Sequence, residues 1–136
     1  MKTLLTLLTC LFVLSPNVVM SETMDDLVKR EGLYYKKFSD VPFTGKVTGI
    51  EQGKMKKGKK EGKWIEFYDN GQLHSKGNFE NGKRDGLWAK YFSDGQIRSK
   101  GTYKNGKRDG LWVHYKVEGG FFKKLTGTFK NGKKAG

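Results

Sequence analysis

After Gly45 the chain alternates apolar and polar residues with period two, and helical periodicity is absent from there to Gly136. In Trp64-Ile65-Glu66-Phe67-Tyr68, Ile65 and Phe67 fall on one face of a strand and Trp64 on the other. Ala89 and Tyr91, then Val113 and Tyr115, take the first face again, with Trp88 and Trp112 opposite. A second kind of strand puts Leu73, Ser75, Gly77 and Phe79 on one face, repeated by Ile97, Ser99, Gly101 and Tyr103. Gln72, His74 and Lys76, and later Gln96, Arg98 and Lys100, occupy its other face. Asn70-Gly71, Asn81-Gly82, Asp94-Gly95, Asn105-Gly106 and Asn131-Gly132 separate these strands. Such pairs between apolar residues are the strongest short-range hairpin signal, because the turns need positive φ. The pattern therefore predicts an all-β protein of consecutive antiparallel hairpins. The only prolines, Pro16 and Pro42, lie outside the regular run.

The strands recur with a period of 24 residues. Gly62-Lys63-Trp64 returns as Gly86-Leu87-Trp88 and Gly110-Leu111-Trp112, and Asn81-Gly82-Lys83-Arg84-Asp85 returns as Asn105-Gly106-Lys107-Arg108-Asp109. A fixed period of this length marks an array of small units, each too small to bury a core alone. It favours an extended interaction surface over an enzyme pocket. A mid-strand glycine is costly unless a neighbour packs over it, so the Trp of an adjacent strand is expected to cover Gly77 and Gly101.

The regular units span 62–85 and 86–109. A third, 110–136, is stretched through Glu118 to Leu125 and is expected to finish on an edge strand near Gly127 to Lys130. Residues 32–61 form a degenerate start, in which Gly32-Leu33-Tyr34-Tyr35 stands where Gly-x-Trp would and the register of residues 46–57 is open. A charged lead-in, 22–31, reads as one turn of helix or a strand.

Residues 1–21 carry one basic residue, Lys2, an apolar run from Leu4 to Leu14 and a break at Ser15-Pro16-Asn17. This is the layout of a secretory signal peptide, cut after Ser21, and the apolar run is too short to span a membrane. An uncleaved anchor and lipidation at Cys10 are the alternatives. Cys10 is the only cysteine, so the mature chain would hold no disulfide, thiol nucleophile or cysteine metal site. Export to the periplasm or outside the cell is the expected localisation.

The formal net charge is +13, and loss of Lys2 with the leader would remove only one of those charges. The balance suits an anionic partner: an acidic lipid or polysaccharide, an acidic protein or nucleic acid, of which export disfavours the last. Lys59-Lys60, Lys83-Arg84, Lys107-Arg108 and Lys133-Lys134 share one phase of the repeat. Successive pairs should stand about 10 Å apart, two strands on, as a ladder along one edge, partly neutralised by Glu61, Asp85 and Asp109. The same ladder would serve solubility alone. Trp64, Trp88 and Trp112, with Phe67, Tyr91 and Tyr115, are either the core or an aromatic docking stripe. His74 and His114 are the only histidines; their positions look exposed, and neither has the partners a catalytic or zinc site needs. No phosphate loop, nucleophile elbow or carboxylate pair stands out, so the expectation is a non-enzyme with no catalytic residues, no metal site and no cofactor.

Gly62-Lys63-Trp64-Ile65-Glu66-Phe67-Tyr68-Asp69-Asn70-Gly71, the recurrent Lys-Gly-x-aromatic-x-Asn-Gly-Lys and Val41-Pro42-Phe43-Thr44-Gly45-Lys46 resemble the MORN-repeat family, in its bacterial variant form. The resemblance runs over about residues 32–136. It implies an elongated single-layer antiparallel sheet of tandem hairpins that serves as a scaffold for another protein or a second copy of the chain. Acidic phospholipids have been linked to some arrays of this family, and an antitoxin-like label is common in the variant. Three functional readings follow: a scaffold docking a protein on its sheet face, a peripheral binder of anionic lipid or polysaccharide through the basic ladder, and an antitoxin-like or immunity-like inhibitor of a toxin.

Overall fold

The computed structural model describes residues 20–122 and 125–136. The expected signal peptide, apart from Met20 and Ser21, lies outside the described residues, as do Cys10 and Lys123-Lys124 of the stretched unit.

Among the described residues the regular structure is almost wholly strand. The strands are β1 Ser21–Thr23, β2 Leu27–Arg30, β3 Leu33–Lys36, β4 Gly45–Thr48, β5 Glu51–Lys56, β6 Lys59–Phe67, β7 Leu73–Glu80, β8 Lys83–Tyr91, β9 Ile97–Lys104, β10 Lys107–His114, β11 Gly127–Lys130 and β12 Lys133–Lys134. Ten of them form one sheet in the order β1-β4-β5-β6-β7-β8-β9-β10-β11-β12. Every neighbour pair is antiparallel except β1 with β4, which is parallel. Nine inter-strand steps make the sheet roughly 40 Å wide across its strands.

Two kinds of turn alternate. At Asn81-Gly82, Asn105-Gly106 and Asn131-Gly132 both residues have positive φ, as in the type I′ turn that matches strand twist. Lys57-Gly58 and Glu31-Gly32 adopt the same dihedrals without an Asn to signal them. The Gly amide donates to a carbonyl one repeat back: Gly82 to Lys60, Gly106 to Arg84 and Gly132 to Arg108, each at 2.9 Å. At the other end of the strands, only the Gly of Asn70-Gly71 and Asp94-Gly95 has positive φ. There Asn70 Oδ1 accepts the Gln72 N–H and Asp94 Oδ1 accepts the Gln96 N–H, the local bond that suits Asn and Asp to turns.

The register open over residues 46–57 closes on the same period. Gly53 lies 24 residues before Gly77, and the Trp64 indole packs over it. Gly32, by contrast, holds a turn position and not that of the Gly before Trp. It closes a separate two-stranded sheet, β2-β3. The two uses of glycine look alike in sequence because both need positive φ.

The lead-in is both of the things expected of it: a 3-10 turn at Met24–Asp26, followed by a strand. Its hairpin folds back on the first part of the array. Leu27, Phe43, Val47, Met55 and Trp64 form a buried cluster joined by Met24, Tyr34 and Phe79. Ser21, placed just before the expected cut, pairs with Lys46, and the Lys46 N–H donates to the Met20 carbonyl.

At the far end the edge is not Gly127–Lys130. Asn131-Gly132 turns the chain back, and β12 covers that strand. Lys134 lays its methylenes over Gly127, the place an indole takes elsewhere.

Candidate functional site

The two faces of the sheet differ in kind, and each is set by strand alternation and one recurring bulge. Gly62, Gly86 and Gly110 have φ near +70° inside their strands. Between Lys76↔Ala89 and Asn78↔Asp85, one residue of β7 faces three of β8. The bulge lifts Trp88 so that its indole lies flat over Gly77, and Trp112 lies likewise over Gly101. A Cβ at either glycine would overlap the indole. Each indole N–H donates to a carbonyl ten residues back: Trp64 to Lys54, Trp88 to Asn78 and Trp112 to Thr102, at 2.8–3.2 Å.

Trp64, Trp88 and Trp112 are thereby buried, at 3%, 5% and 2% exposure. They interleave with Phe79 and Tyr103 in edge-to-face contacts: Trp64–Phe79 6.0 Å, Phe79–Trp88 5.2 Å, Trp88–Tyr103 6.0 Å and Tyr103–Trp112 4.9 Å. Phe67, Tyr91 and Tyr115 stand outside this ribbon. Tyr91 offers its carbonyl to the Tyr68 hydroxyl, and Tyr115 packs on Phe121. The ribbon's partners sit on the return strands, where a neighbouring Trp arches over the intervening glycine.

The basic pairs do not form one edge ladder. Consecutive strand residues point to opposite faces, so each pair divides. Lys60, Arg84 and Arg108 lie over the ribbon. Lys60 is 4.2 Å from the Trp64 ring and 5.4 Å from Phe79; Arg84 is 4.9 Å from Trp88 and 5.4 Å from Tyr103; Arg108 is 4.5 Å from Trp112 and 5.3 Å from Phe129. Lys59, Lys83 and Lys107 instead pack their stems beside Gly82, Gly106 and Gly132. Lys133 begins the exposed β12. Glu61, expected to neutralise its rung, accepts the N–H of Asn81 instead.

A polar row crosses the aromatic face beside the ribbon. Register links Glu51↔Glu66↔Ser75↔Lys90↔Ser99↔His114. Ser75 and Ser99 are buried at 5% exposure. Glu66 accepts from the Ser75 hydroxyl at 3.0 Å and lies 3.0 Å from His74 Nδ1. The histidines are thus not free surface groups. His74 packs on Tyr68 at 4.5 Å, and His114 lies in the row with its Nδ1 buried and unpartnered. Burial, with the charges of Arg108, Arg98 and Lys90, holds the His114 imidazole below its ordinary pKa.

The other face carries the row Gln52↔Ile65↔Lys76↔Ala89↔Lys100↔Val113, flanked by Leu87 and Leu111 from the bulges. Leu87 is 80% exposed and Leu111 62%. A shallow groove of about 630 Å³, mostly apolar, runs between Ile65, Leu87, Ala89 and the lysines. The two leucines share a phase at which the first unit has Lys63, so the repeat does not mark them as apolar, and their exposure follows from the bulge. Among the described residues no three His, Cys, Asp or Glu side chains gather to hold a metal ion.

Residues 60–81 and 84–105 each match the family model described as MORN repeat variant, a non-enzymatic repeat type. No curated protein matches the chain.

Proposed function

We propose that this array of MORN-variant repeats is a non-enzymatic scaffold that docks another protein on the leucine-bearing face of its sheet. Repeats of this family generally bind proteins or membranes. The observation that carries the reading is the pair Leu87 and Leu111. Two large apolar side chains stand in solvent at the same phase of adjoining units, the first of them, Leu87, lining an apolar groove, on a backbone fixed by the indoles beneath. Single exposed leucines are ordinary, whereas a patch repeated at a fixed spacing marks an interaction surface. The flanking lysines Lys76 and Lys100 would form the polar rim around it. Export, expected from a leader outside the described residues, would put the partner outside the cytoplasm.

The test is capture by the tagged chain, isolated from the cells that make it, at low and high salt. Wild type should hold one protein through high salt, and Leu87→Glu/Leu111→Glu should release it. Recovery of bulk lipid or polysaccharide alone, lost at high salt, would replace docking with surface binding. Retention of the same protein by the double variant would move the docking elsewhere.

A further inference from the structure

The aromatic face repeats its geometry three times but changes its charges. In the first repeat Glu51 on β5 stands opposite Glu66 on β6, and Lys60 reaches back to Glu51 Oε2 at 2.5 Å. One period on, Ser75 and Lys90 hold the two acid positions, and Arg84 replaces Lys60. One more period on they become Ser99 and His114, with Arg108. The carboxylates vanish where the cation becomes a guanidinium. Among the described residues neither Arg84 nor Arg108 has an ion-pair partner; Arg84 donates only a long bond, 3.5 Å, to the Tyr103 hydroxyl. Each guanidinium is held between two aromatic rings, with its donors left over. Ser75 and Ser99 lie buried beneath, and His114 Nδ1 is the one buried side-chain polar atom left without a partner among the described residues.

The first repeat also shows what covers this face. There the lead-in hairpin brings Met24, Leu27 and Tyr34 into one cluster with Trp64, and Phe79 packs against that cluster. Beyond Phe79, among the described residues, neither Arg84 nor Arg108 has a carboxylate of its own: the nearest to Ser75, Glu66, is engaged by the Ser75 hydroxyl and His74, and the Ser99 position has none. We propose that the aromatic face of the second and third repeats seats an extended acidic segment of a partner protein. Its carboxylates take the places before Arg84 and Arg108 that Glu51 takes before Lys60. The planar guanidinium fork accepts a carboxylate through two parallel bonds, which an ammonium cannot do. The two seats are one repeat apart, about 10 Å. An extended segment of polyproline-II type rises about 9 Å over three residues, so acids three apart meet both seats. The +13 charge of the chain steers such a segment inward. This seat lies opposite the leucine face and stands or falls separately from docking there.

The experiment is a titration of the full chain with a short poly-glutamate peptide, followed by tryptophan fluorescence because Trp88 and Trp112 underlie the two guanidinium groups. Wild type should bind saturably, and salt should weaken the binding. Ser75→Glu/Ser99→Glu gives each repeat its own carboxylate, as Glu51 does in the first. That variant, where circular dichroism shows it folded, should bind the peptide at least about tenfold more weakly. Arg84→Gln/Arg108→Gln should lose as much, and decides the matter if the Glu variant fails to fold. Unchanged affinity in either folded variant overturns the proposal. So does tighter binding of phosphatidylglycerol vesicles or inorganic phosphate than of the peptide, which would make the seat a phosphate site.

Discussion

At the scale of single residues the structure turns on what lies above two glycines. The indoles of Trp88 and Trp112 occupy the space a Cβ would need at Gly77 and Gly101. Gly101→Ala should therefore cost about 1–3 kcal/mol by overpacking, while Thr102→Ala next to it should stay within about 0.5 kcal/mol; urea melts of the two variants check this. Ser99 cannot serve as the neutral control beside Gly101, since it is itself buried. His114 gives a pH prediction. Burial and the charges of Arg108, Arg98 and Lys90 lower its pKa in the folded chain. Below about pH 6.5 the unfolded chain then binds the proton that the folded chain refuses. The stability present above that pH should fall as pH drops through it, and His114→Gln should flatten the loss. Melting temperatures between pH 7.5 and 5.5 give the comparison, and a wild type no less stable at the lower value would contradict it.

At the scale of elements, each repeat is a pair of strands locked by one indole, two turns and one bulge. Trp88 packs between Phe79 and Tyr103 with a repeat on either side, whereas beyond Trp112 the sheet continues only through the short β11 and β12. Stability in such arrays is a sum of unit and nearest-neighbour terms. Trp88→Ala should therefore cost more than Trp112→Ala, within the range of about 3–5 kcal/mol seen for large aromatic truncations, and denaturant midpoints for the two will show the order. Much of this was legible in the sequence: period, hairpins and the Trp over Gly77 all follow from local patterning, while for the lead-in the sequence left helix turn and strand as alternatives and the structure has both. The rest was hidden for identifiable reasons. Lys57-Gly58 and Glu31-Gly32 make type I′ turns without Asn, so the first hairpins carried no signal. The bulge at Gly62, Gly86 and Gly110 breaks simple alternation, which put Phe67, Tyr91 and Tyr115 forward where Phe79 and Tyr103 make the contacts. The split of each basic pair between faces was implicit in alternation and was obscured by counting the pair as one rung. The parallel pairing of β1 with β4 is long-range, which local pattern does not specify, whereas β12 follows the Asn131-Gly132 turn and so was marked by the same signal as the other hairpins.

At the scale of the whole molecule, the sheet is a ruler with its chemistry graded along it. Acids Glu51 and Glu66 lie toward one end of the aromatic face, and Arg84, Lys90, Arg108 and His114 toward the other. The period itself is therefore open to a direct test. Removing residues 86–109 joins Asp85 to Gly110, the same junction that Asp109 makes with Gly110 in the intact chain. Lys83-Arg84-Asp85 would run on into Gly110-Leu111-Trp112 as one strand. Trp112 would then close over Gly77 in place of Trp88, and the register of every remaining hairpin would be kept. The shortened chain should fold, with its longest dimension reduced by about 10 Å, the width of two strands, as small-angle scattering would show. It should also melt earlier, having lost one unit and one interface. Because the deletion removes Arg108 with Ser99 and leaves Arg84 with Ser75, one acid seat would survive, and the shortened chain should bind the glutamate peptide more weakly than wild type without losing it. A shortened chain that fails to fold would show that the array depends on contacts beyond neighbouring repeats, and the modular account would have to give way to a single cooperative core seeded by the lead-in hairpin on Trp64.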